Sequence, residues 1–271
     1  MARHQAPDRA SGVFETLLVL DGAPVELDAH LARLRASVRS VFGAEPPSEI
    51  VRRALEASAA LPLGRLRLTV APEAGGASAA GVTPAAGVAA SALVADVTAH
   101  PVDPAQLFPP WERAVALDPL TIAGGLGAHK WVDRRRLATA AARAMSDRLP
   151  LVLDEGEEVL EVSRANVFAV EDGVLLTPAT DGRILPGVGR ARAIDIARAL
   201  GVELREEPFD LSRLLAAGEA FVTGSVRGVE PVRTVGDAAL AAPGEEARAV
   251  AAELRRRWIG VGASGSPAAV R

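Results

Sequence analysis

The stretch VLEVSRANVF, residues 159–168, is the most informative part of the sequence for the fold. It has the apolar composition of buried strands and contains one carboxylate, that of Glu161. Its apolar runs predict strands, and the turn residues 171–173 predict a hairpin shortly after them. A carboxylate such as Glu161 on an apolar strand is costly unless it has a partner. A protonated heteroaromatic nitrogen would be such a partner. The plain alternative is a solvent-exposed strand glutamate, as expected for Glu157 and Glu158.

Strands and helices alternate on both sides of this stretch. Towards the N-terminus the pattern predicts a strand at Val13–Leu20 with a turn at Asp21-Gly22, and then a helix capped by Asp28 and stopped by Gly43. Further expected elements are a helix capped at Ser48, strands at 65–70, 92–97, 114–117 and 220–223, and helices after 133, after 187 and at 245–258. The mixture predicts an α+β (α/β) protein with mixed sheets.

Composition changes divide the chain into domains. Four prolines lie between Pro101 and Pro110, a density that is typical of a joint. We therefore predict a small N-terminal α/β domain at 1–106, a linker at 107–113 and a larger C-terminal domain at 114–262. Residues 73–91 are predicted to form a flexible loop and residues 263–271 a disordered tail, since both are rich in Ala, Gly, Ser and Pro.

Charge and composition exclude several function classes. The chain has 271 residues, no cysteine and a net charge of −4, so a nucleic-acid surface, thiolate catalysis and cysteine-ligated metals are not expected. No apolar run approaches the roughly 18 residues of a membrane helix, and the N-terminus lacks a signal-peptide core. We expect a cytoplasmic protein without a metal, membrane or nucleic-acid partner.

Lys130 is the only lysine, although the chain has 30 lysines and arginines in total. Where coding bias favours arginine, a lysine is kept more readily where its amine must lose a proton and react. Lys130 follows a glycine turn and precedes Trp131, and partly apolar surroundings would lower its pKa and favour Schiff-base chemistry. An exposed lysine at a helix start is the plain alternative.

Two further features suit an anion. The segment ILPGVGR, residues 184–190, places glycines at a predicted helix start, where backbone N–H groups and the helix dipole favour phosphate. Many helices begin with Pro and Gly for steric reasons alone. Arg33 is expected to fall off the apolar stripe of Leu31 and Leu34, and a guanidinium suits bidentate phosphate contact. A solvated arginine is the alternative.

Together, a candidate Schiff-base lysine, a strand carboxylate and a glycine-lined anion turn are the parts of a pyridoxal 5'-phosphate site. With them the sequence resembles the class IV aminotransferases, the fold-type-IV pyridoxal phosphate enzymes with a D-amino acid aminotransferase-like architecture. The resemblance runs from about Gly12 to Arg233. It is carried by segments 12–16, 30–34, 161–168, 185–187 and 223–225 and by the surroundings of Lys130.

The resemblance implies roles for individual residues. Lys130 would bond to the cofactor and move a substrate proton, Glu161 would pair with the pyridine nitrogen, and Arg33 would bind the phosphate. The backbone at Val188 and Gly189, with Ser225, would complete the phosphate site. The family also implies two domains and a homodimer.

The resemblance also bears on the reaction. Lys130 is followed at the third and fourth positions by Asp133 and Arg134, similar to the Asn-Arg of 4-amino-4-deoxychorismate lyases, and Thr16 stands where those lyases are thought to use a threonine. The lyase reaction releases pyruvate and 4-aminobenzoate, a folate precursor.

The chain departs from the family pattern at several points. It has no tyrosine, whereas branched-chain transaminases place one near the cofactor, and Gly189 replaces the usual threonine. A transaminase of branched-chain or D-amino acids with a 2-oxo acid acceptor is the alternative, and a non-catalytic family member is the second. Arg65, Arg67 and Arg227 are candidates for binding the carboxylate of a small amine substrate in either enzyme.

Overall fold

The computed structural model describes residues 7–73, 92–142, 148–240 and 244–262. It divides into two compact units: Met1–Pro101 with His129–Arg134, and Val102–Ala128 with Arg135–Arg271. The predicted tail at 263–271 and residues 74–91 of the predicted loop at 73–91 lie outside the described residues. The α+β class is confirmed.

The division differs from the predicted domains in where it places Lys130. The sequence prediction put residues 114–262 in one C-terminal domain, but residues 129–134 belong to the first unit. The reason is backbone pairing: Phe14 N–H donates to the Lys130 carbonyl at 2.8 Å, and Val132 N–H donates to the Gly12 carbonyl at 3.0 Å. Such long-range pairing leaves no local sequence signal.

The first unit contains a four-stranded sheet and two helices. The sheet order is β2-β1-β3-β4, with antiparallel neighbours throughout rather than the mixed pairing expected. The elements are β1 (Val13–Leu20), β2 (Ala23–Pro24), α1 (Leu27–Phe42), α2 (Ile50–Ser58), β3 (Leu63–Pro72) and β4 (Leu93–Pro101), preceded by a 3-10 turn at Arg9–Ser11.

Strand alternation gives β1 two chemically different faces. Leu17 and Val19 are fully buried in the core that β1 and β3 share with α1 and α2. Since successive side chains point to opposite faces, Glu15 shares the helix-covered face with Leu17, whereas Phe14 and Thr16 lie on the other face. The register then places Thr16 opposite Arg67 of β3.

The helix starts in this unit differ from the predicted ones. Glu26, in the left-handed region at φ 55°, precedes α1, and Asp28 lies in its first turn rather than at the cap. Glu49 precedes α2 instead of Ser48. Neither helix has a side-chain cap bond, so cap-forming residue types did not mark these starts. Gly43 ends α1 as predicted, with a left-handed φ of 68°.

The second unit holds a larger mixed sheet. Its strand order is β10-β9-β8-β11-β12-β5-β6-β7, with β13 beside β12, and the pairs β10–β9, β12–β5 and β5–β6 are parallel. The strands are β5 (Val115–Thr121), β6 (Arg148–Leu153), β7 (Val159–Val162), β8 (Asn166–Glu171), β9 (Val174–Thr177), β10 (Leu204–Glu206), β11 (Glu219–Gly224), β12 (Gly228–Val235) and β13 (Ala238–Ala239). The helices are α3 (Arg135–Ala141), α4 (Val188–Ala199), α5 (Leu211–Ala216) and α6 (Glu245–Gly262), with 3-10 turns at Pro104–Gln106, Trp111–Arg113 and Glu155–Glu157.

Apolar side chains from the middle strands hold this sheet in place. Phe168 of β8 and Phe221 of β11 are cross-strand partners, both fully buried, and their rings stack with centroids 4.9 Å apart. Cross-strand aromatic pairs stabilise a sheet beyond their buried area. In the described part of the chain, no helix is long and apolar enough to cross a membrane.

The substitution Gly12→Ala tests the close approach of Gly12 to Val70 at the start of β1. The φ of Gly12 is +88°, and a Cβ there would lie 2.3 Å from the Val70 carbonyl oxygen. We expect Gly12→Ala to lower the free energy of unfolding by more than about 2 kcal/mol, because strain and a backbone clash add. Urea unfolding measures this loss. Gly43→Ala is the control, since Gly43 has φ +68° but open space, and should cost about 1 kcal/mol. Equal losses would contradict the clash.

Candidate active site

In the first unit, cations surround the Phe14 ring on the face of β1 away from α1. The Arg67 guanidinium carbon lies 3.8 Å from the ring centroid, Lys130 Nζ 5.2 Å and the Arg134 guanidinium carbon 5.6 Å. Partial burial lowers the pKa of Arg67, and the neighbouring Arg65 charge lowers it further. The structure thus brings two predicted residues, Lys130 and Arg67, to one aromatic ring.

The backbone around Lys130 is held on both sides. Besides the two hydrogen bonds to β1, Trp131 bridges Val13 and packs against the core of the first unit. His129 contacts the hydroxyls of Ser37 and Ser40 at 3.1 Å each. The backbone that carries the predicted reactive lysine is therefore held by contacts of the residues on both sides of it.

The opposite face of β1 carries a buried ionic cluster. Glu15, 1% exposed, accepts hydrogen bonds from Arg33 Nε at 2.8 Å and Nη2 at 2.6 Å, and its carboxylate lies 2.8 Å from His30 Nδ1. The expectation that Arg33 falls off the apolar stripe is wrong: Arg33 is buried beside Leu34, whereas Leu31 is only half-buried. The negative charge of the Glu15 carboxylate offsets the desolvation cost of burying the Arg33 guanidinium.

Charge pairing controls protonation in this cluster. Burial raises the pKa of Glu15, but the Arg33 charge and the hydrogen bonds from Arg33 and His30 outweigh burial and lower the pKa to about 2. Burial lowers the pKa of His30, and the hydrogen bond and charge of Glu15 oppose this only in part. At neutral pH the cluster therefore contains an ionised Glu15 beside the Arg33 guanidinium, with His30 neutral.

In the second unit, Glu161 and Asn166 both bind the segment before α4. Glu161, on β7, is 5% exposed, and its Oε2 accepts a hydrogen bond from Leu185 N–H at 3.3 Å. Asn166 Nδ2 donates to the Leu185 carbonyl at 3.0 Å. A Cβ on Gly187 would lie 1.9 Å from Asn166 Oδ1, so a side chain at this position would displace the Asn166 amide. Residues 185–187 are thereby fixed against the β7–β8 turn.

The N-terminus of α4 has the character of an anion site. Gly187 is its N-cap and makes no side-chain cap bond, and the first turn contains no acidic residue. Gly189 packs against Gly224, with 3.5 Å from a Cβ position to the Gly224 backbone. Ser225 follows directly. The hydroxyl of Thr223 is buried and has no hydrogen-bond partner among the described residues. Open N–H groups and an unpartnered hydroxyl suit an oxyanion.

Arg227 belongs to a second ionic cluster at the β11–β12 hairpin. Glu230, 1% exposed, accepts hydrogen bonds from Arg164 at 2.6 and 3.1 Å and from Arg227 at 3.2 Å. The structure thus groups the candidates by unit. Thr16, Arg33, Arg65, Arg67 and Lys130 lie in the first, and Glu161, Val188, Gly189, Ser225 and Arg227 lie in the second.

Glu15 and Asn166 were not predicted as site residues. Asn166 is the only asparagine in the chain, so the rarity argument used for Lys130 would have found it. Glu15 gave no such signal, because its partners lie on a helix that sequence spacing does not connect to it. Among the described residues, no group of three His, Asp or Glu side chains is arranged to hold a metal.

Glu15→Gln tests the first cluster. Because the folded-state pKa of Glu15 is lowered to about 2, its stabilisation is complete above the ordinary pKa near 4.5 and is lost as the pH falls towards 2. We expect the variant to lose about 3 kcal/mol at pH 7, measured by urea unfolding, and to lack this acid dependence. Glu45→Gln is the control because Glu45 is an exposed ion-pair partner of Arg39. Equal losses would contradict the assignment.

Asn166→Ala tests whether the Asn166 side chain fixes residues 185–187. Loss of the hydrogen bond to Leu185 should raise hydrogen exchange at the amides of Leu185 and the first turn of α4 by about tenfold. Thr177→Val is the control, since the Thr177 hydroxyl donates to the Val167 carbonyl in the same sheet. Unchanged exchange in Asn166→Ala would show that Asn166 does not hold the segment.

Curated relatives match part of the chain. The mitochondrial branched-chain-amino-acid aminotransferase 1 of Arabidopsis thaliana is 36% identical over 122 residues, which cover 43% of this chain and 32% of the relative. The branched-chain-amino-acid aminotransferase of Escherichia coli K12 is 35% identical over 99 residues, which cover 36% of this chain and 32% of the relative. The chain thus spans about a third of the length of these relatives.

Solved structures match nearly the whole chain. The 4-amino-4-deoxychorismate lyase of Pseudomonas aeruginosa is 28% identical with a TM-score of 0.74, covering 94% of this chain and 95% of that one. A hypothetical aminotransferase from Mycobacterium tuberculosis, in its pyridoxal-phosphate-bound form, is 25% identical with a TM-score of 0.76, covering 96% and 94%. The fold-type-IV architecture is thereby confirmed. A family model described as amino-transferase class IV matches residues 12–235, and the chain therefore belongs to the class IV aminotransferases, a family of pyridoxal-phosphate-dependent enzymes.

Proposed function

We propose that the protein is a pyridoxal-phosphate-dependent 4-amino-4-deoxychorismate lyase. The observation that carries the enzymatic proposal is the position of the only lysine: Lys130 is fixed to β1 by backbone hydrogen bonds, with Nζ 5.2 Å from the Phe14 ring centroid. No other side chain of this sequence can form a Schiff base with an aldehyde. When bound, pyridoxal phosphate acts as an electron sink for the carbanion formed on the substrate.

The residues of the second unit fit the cofactor. A buried carboxylate, Glu161, suits a protonated pyridine nitrogen because an opposite charge offsets its burial. The N-terminus of α4 suits the phosphate, as does the Thr223 hydroxyl, which has no hydrogen-bond partner in the described part of the chain. We assign the phosphate to the Val188 and Gly189 backbone, Ser225 and Arg33. Glu15 would hold the Arg33 guanidinium by one edge.

In the proposed reaction, Lys130 takes the proton from the amine-bearing ring carbon. The carbon–oxygen bond to the enolpyruvyl group then breaks, the ring becomes aromatic, and the departing enolpyruvate gains a proton to become pyruvate. We assign that proton to the Thr16 hydroxyl, which lies on the same face of β1 as Phe14. Arg65 and Arg67 are proposed to bind a substrate carboxylate from β3.

Two observations favour the lyase over a transaminase. Arg134 follows Lys130 at the fourth position, where the lyase pattern has its arginine, although Asp133 replaces the asparagine of that pattern. The chain has no tyrosine. Amine transfer from branched-chain or D-amino acids to a 2-oxo acid is the second candidate, supported by the branched-chain relatives. A non-catalytic member is the third. We further propose a cytoplasmic homodimer, which the family resemblance supports.

Borohydride reduction tests the lysine. We expect the holoenzyme to absorb in the visible range, to lose that band on reduction, and to carry the cofactor on the peptide with Lys130, identified by mass. Lys130→Ala should show neither the band nor turnover. Lys130→Arg is the matched variant, since it keeps the charge but cannot condense. An adduct on another residue, or undiminished turnover by Lys130→Ala, would overturn the proposal.

A substrate comparison tests the reaction. Purified holoenzyme is given 4-amino-4-deoxychorismate alone and, separately, a panel of amino acids with 2-oxoglutarate or pyruvate. We expect 4-aminobenzoate and pyruvate to form without any 2-oxo acid acceptor. Dominant amine transfer to an acceptor would establish the transaminase instead, and a protein that shows no cofactor absorbance even after cofactor is added would be a non-catalytic member.

A further inference from the structure

The pair formed by Arg164 and Arg227 is held by a carboxylate that solvent does not reach. Glu230 is 1% exposed, while the side chains of Arg164 and Arg227 are 35% and 34% exposed. Arg164 donates through both terminal nitrogens and Arg227 through one. A buried carboxylate thus fixes two half-exposed guanidiniums, and the cluster keeps one net positive charge.

This arrangement differs from the other ion pairs of the second unit. Arg183 contacts the carboxylates of Asp154, Glu158 and Asp181, so negative charge is in excess there. Arg213 likewise lies between two carboxylates. Among the described residues, Glu206 and Glu253 also contact two arginines each, but their side chains are 34% and 20% exposed and therefore partly solvated. An excess of positive charge beside a buried carboxylate favours the binding of a further anion.

Arg164 and Arg227 lie next to Gly224, which contacts the proposed phosphate site at the start of α4. The Arg164 carbonyl is 3.6 Å from the Cβ position of Gly224, and Gly224 packs against Gly189 at the start of α4. Gly224 pairs with Gly228 across the hairpin that contains Arg227. Phe108 N–H donates to the Arg227 carbonyl at 3.0 Å, which fixes the backbone of this arginine.

We propose that Arg164 and Arg227 form a carboxylate-binding subsite for the substrate, with Glu230 as its positioning residue. This inference rests on the proposed function and adds a requirement: the amine substrate carries a carboxylate that this pair binds. Both carboxylates of an aminodeoxychorismate-type substrate meet that requirement, and neutral amines do not. A guanidinium held by one edge presents its remaining N–H groups in a fixed direction, which favours a planar carboxylate.

Binding of unreactive probes tests the subsite on the holoenzyme. Titration calorimetry is performed with 4-aminobenzoate, pyruvate and the neutral 4-aminobenzamide. We expect the wild type to bind at least one carboxylate probe and to bind 4-aminobenzamide more weakly than 4-aminobenzoate. Arg227→Gln should weaken the carboxylate about tenfold or more, the loss expected for one charge-assisted hydrogen bond, and leave the amide unchanged. Arg227→Lys should restore part of the affinity, since it keeps the charge.

A matched control and a second variant complete the test. Arg213→Gln removes an arginine whose side chain has the same 34% exposure and should not change carboxylate binding. Arg164→Gln combined with Glu230→Gln removes one arginine without leaving a buried unpaired carboxylate and should also weaken the probes. Borohydride labelling of Lys130 in every variant reports cofactor loading, so a failed subsite is distinguished from a failed enzyme proposal. Unchanged affinity in Arg227→Gln and the double variant, or a wild type that binds no carboxylate probe, would overturn the subsite.

Discussion

The hydrogen bonds that join residues 130–132 to the start of β1 are the constraint on which the first unit depends. They bring a segment more than a hundred residues away in sequence against Gly12 and Phe14, and they carry the only lysine with them. The core of this unit includes Trp131 for the same reason. Because these hydrogen bonds use backbone groups alone, they fix the position of the lysine backbone and do not involve its side-chain amine.

Local patterns predicted many elements closely. The strand Val13–Leu20, its turn, the end of α1 at Gly43 and the hairpin at 171–173 follow from alternation and glycine positions, which depend only on neighbouring residues. The predicted helix starts at Asp28 and Ser48 were wrong, because α1 and α2 begin without side-chain caps. The placement of Lys130 in the first unit was also missed, since backbone pairing across a long separation does not depend on side-chain type.

Candidate site residues divide in the same way. Glu161 and the start of α4 were recognisable because a charge in an apolar strand and a glycine-rich helix start are local anomalies. Arg33 was placed off the apolar stripe because its burial depends on Glu15, a strand residue whose distance in space is set by tertiary packing. The same holds for Glu230, whose two arginines come from different turns. Sequence reasoning finds unusual residues more readily than the partners that make them tolerable.

The alternation along β1 has a consequence for how this strand can change over time. Phe14 and Thr16 lie on the face with the lysine, and Glu15 faces the helix that carries Arg33. Point substitutions can therefore alter one face while leaving the other intact. Deleting or inserting a single residue here would exchange the faces, turning the acid outward and an aromatic ring into the ionic cluster. The strand can thus diverge by replacement but scarcely by a change of length.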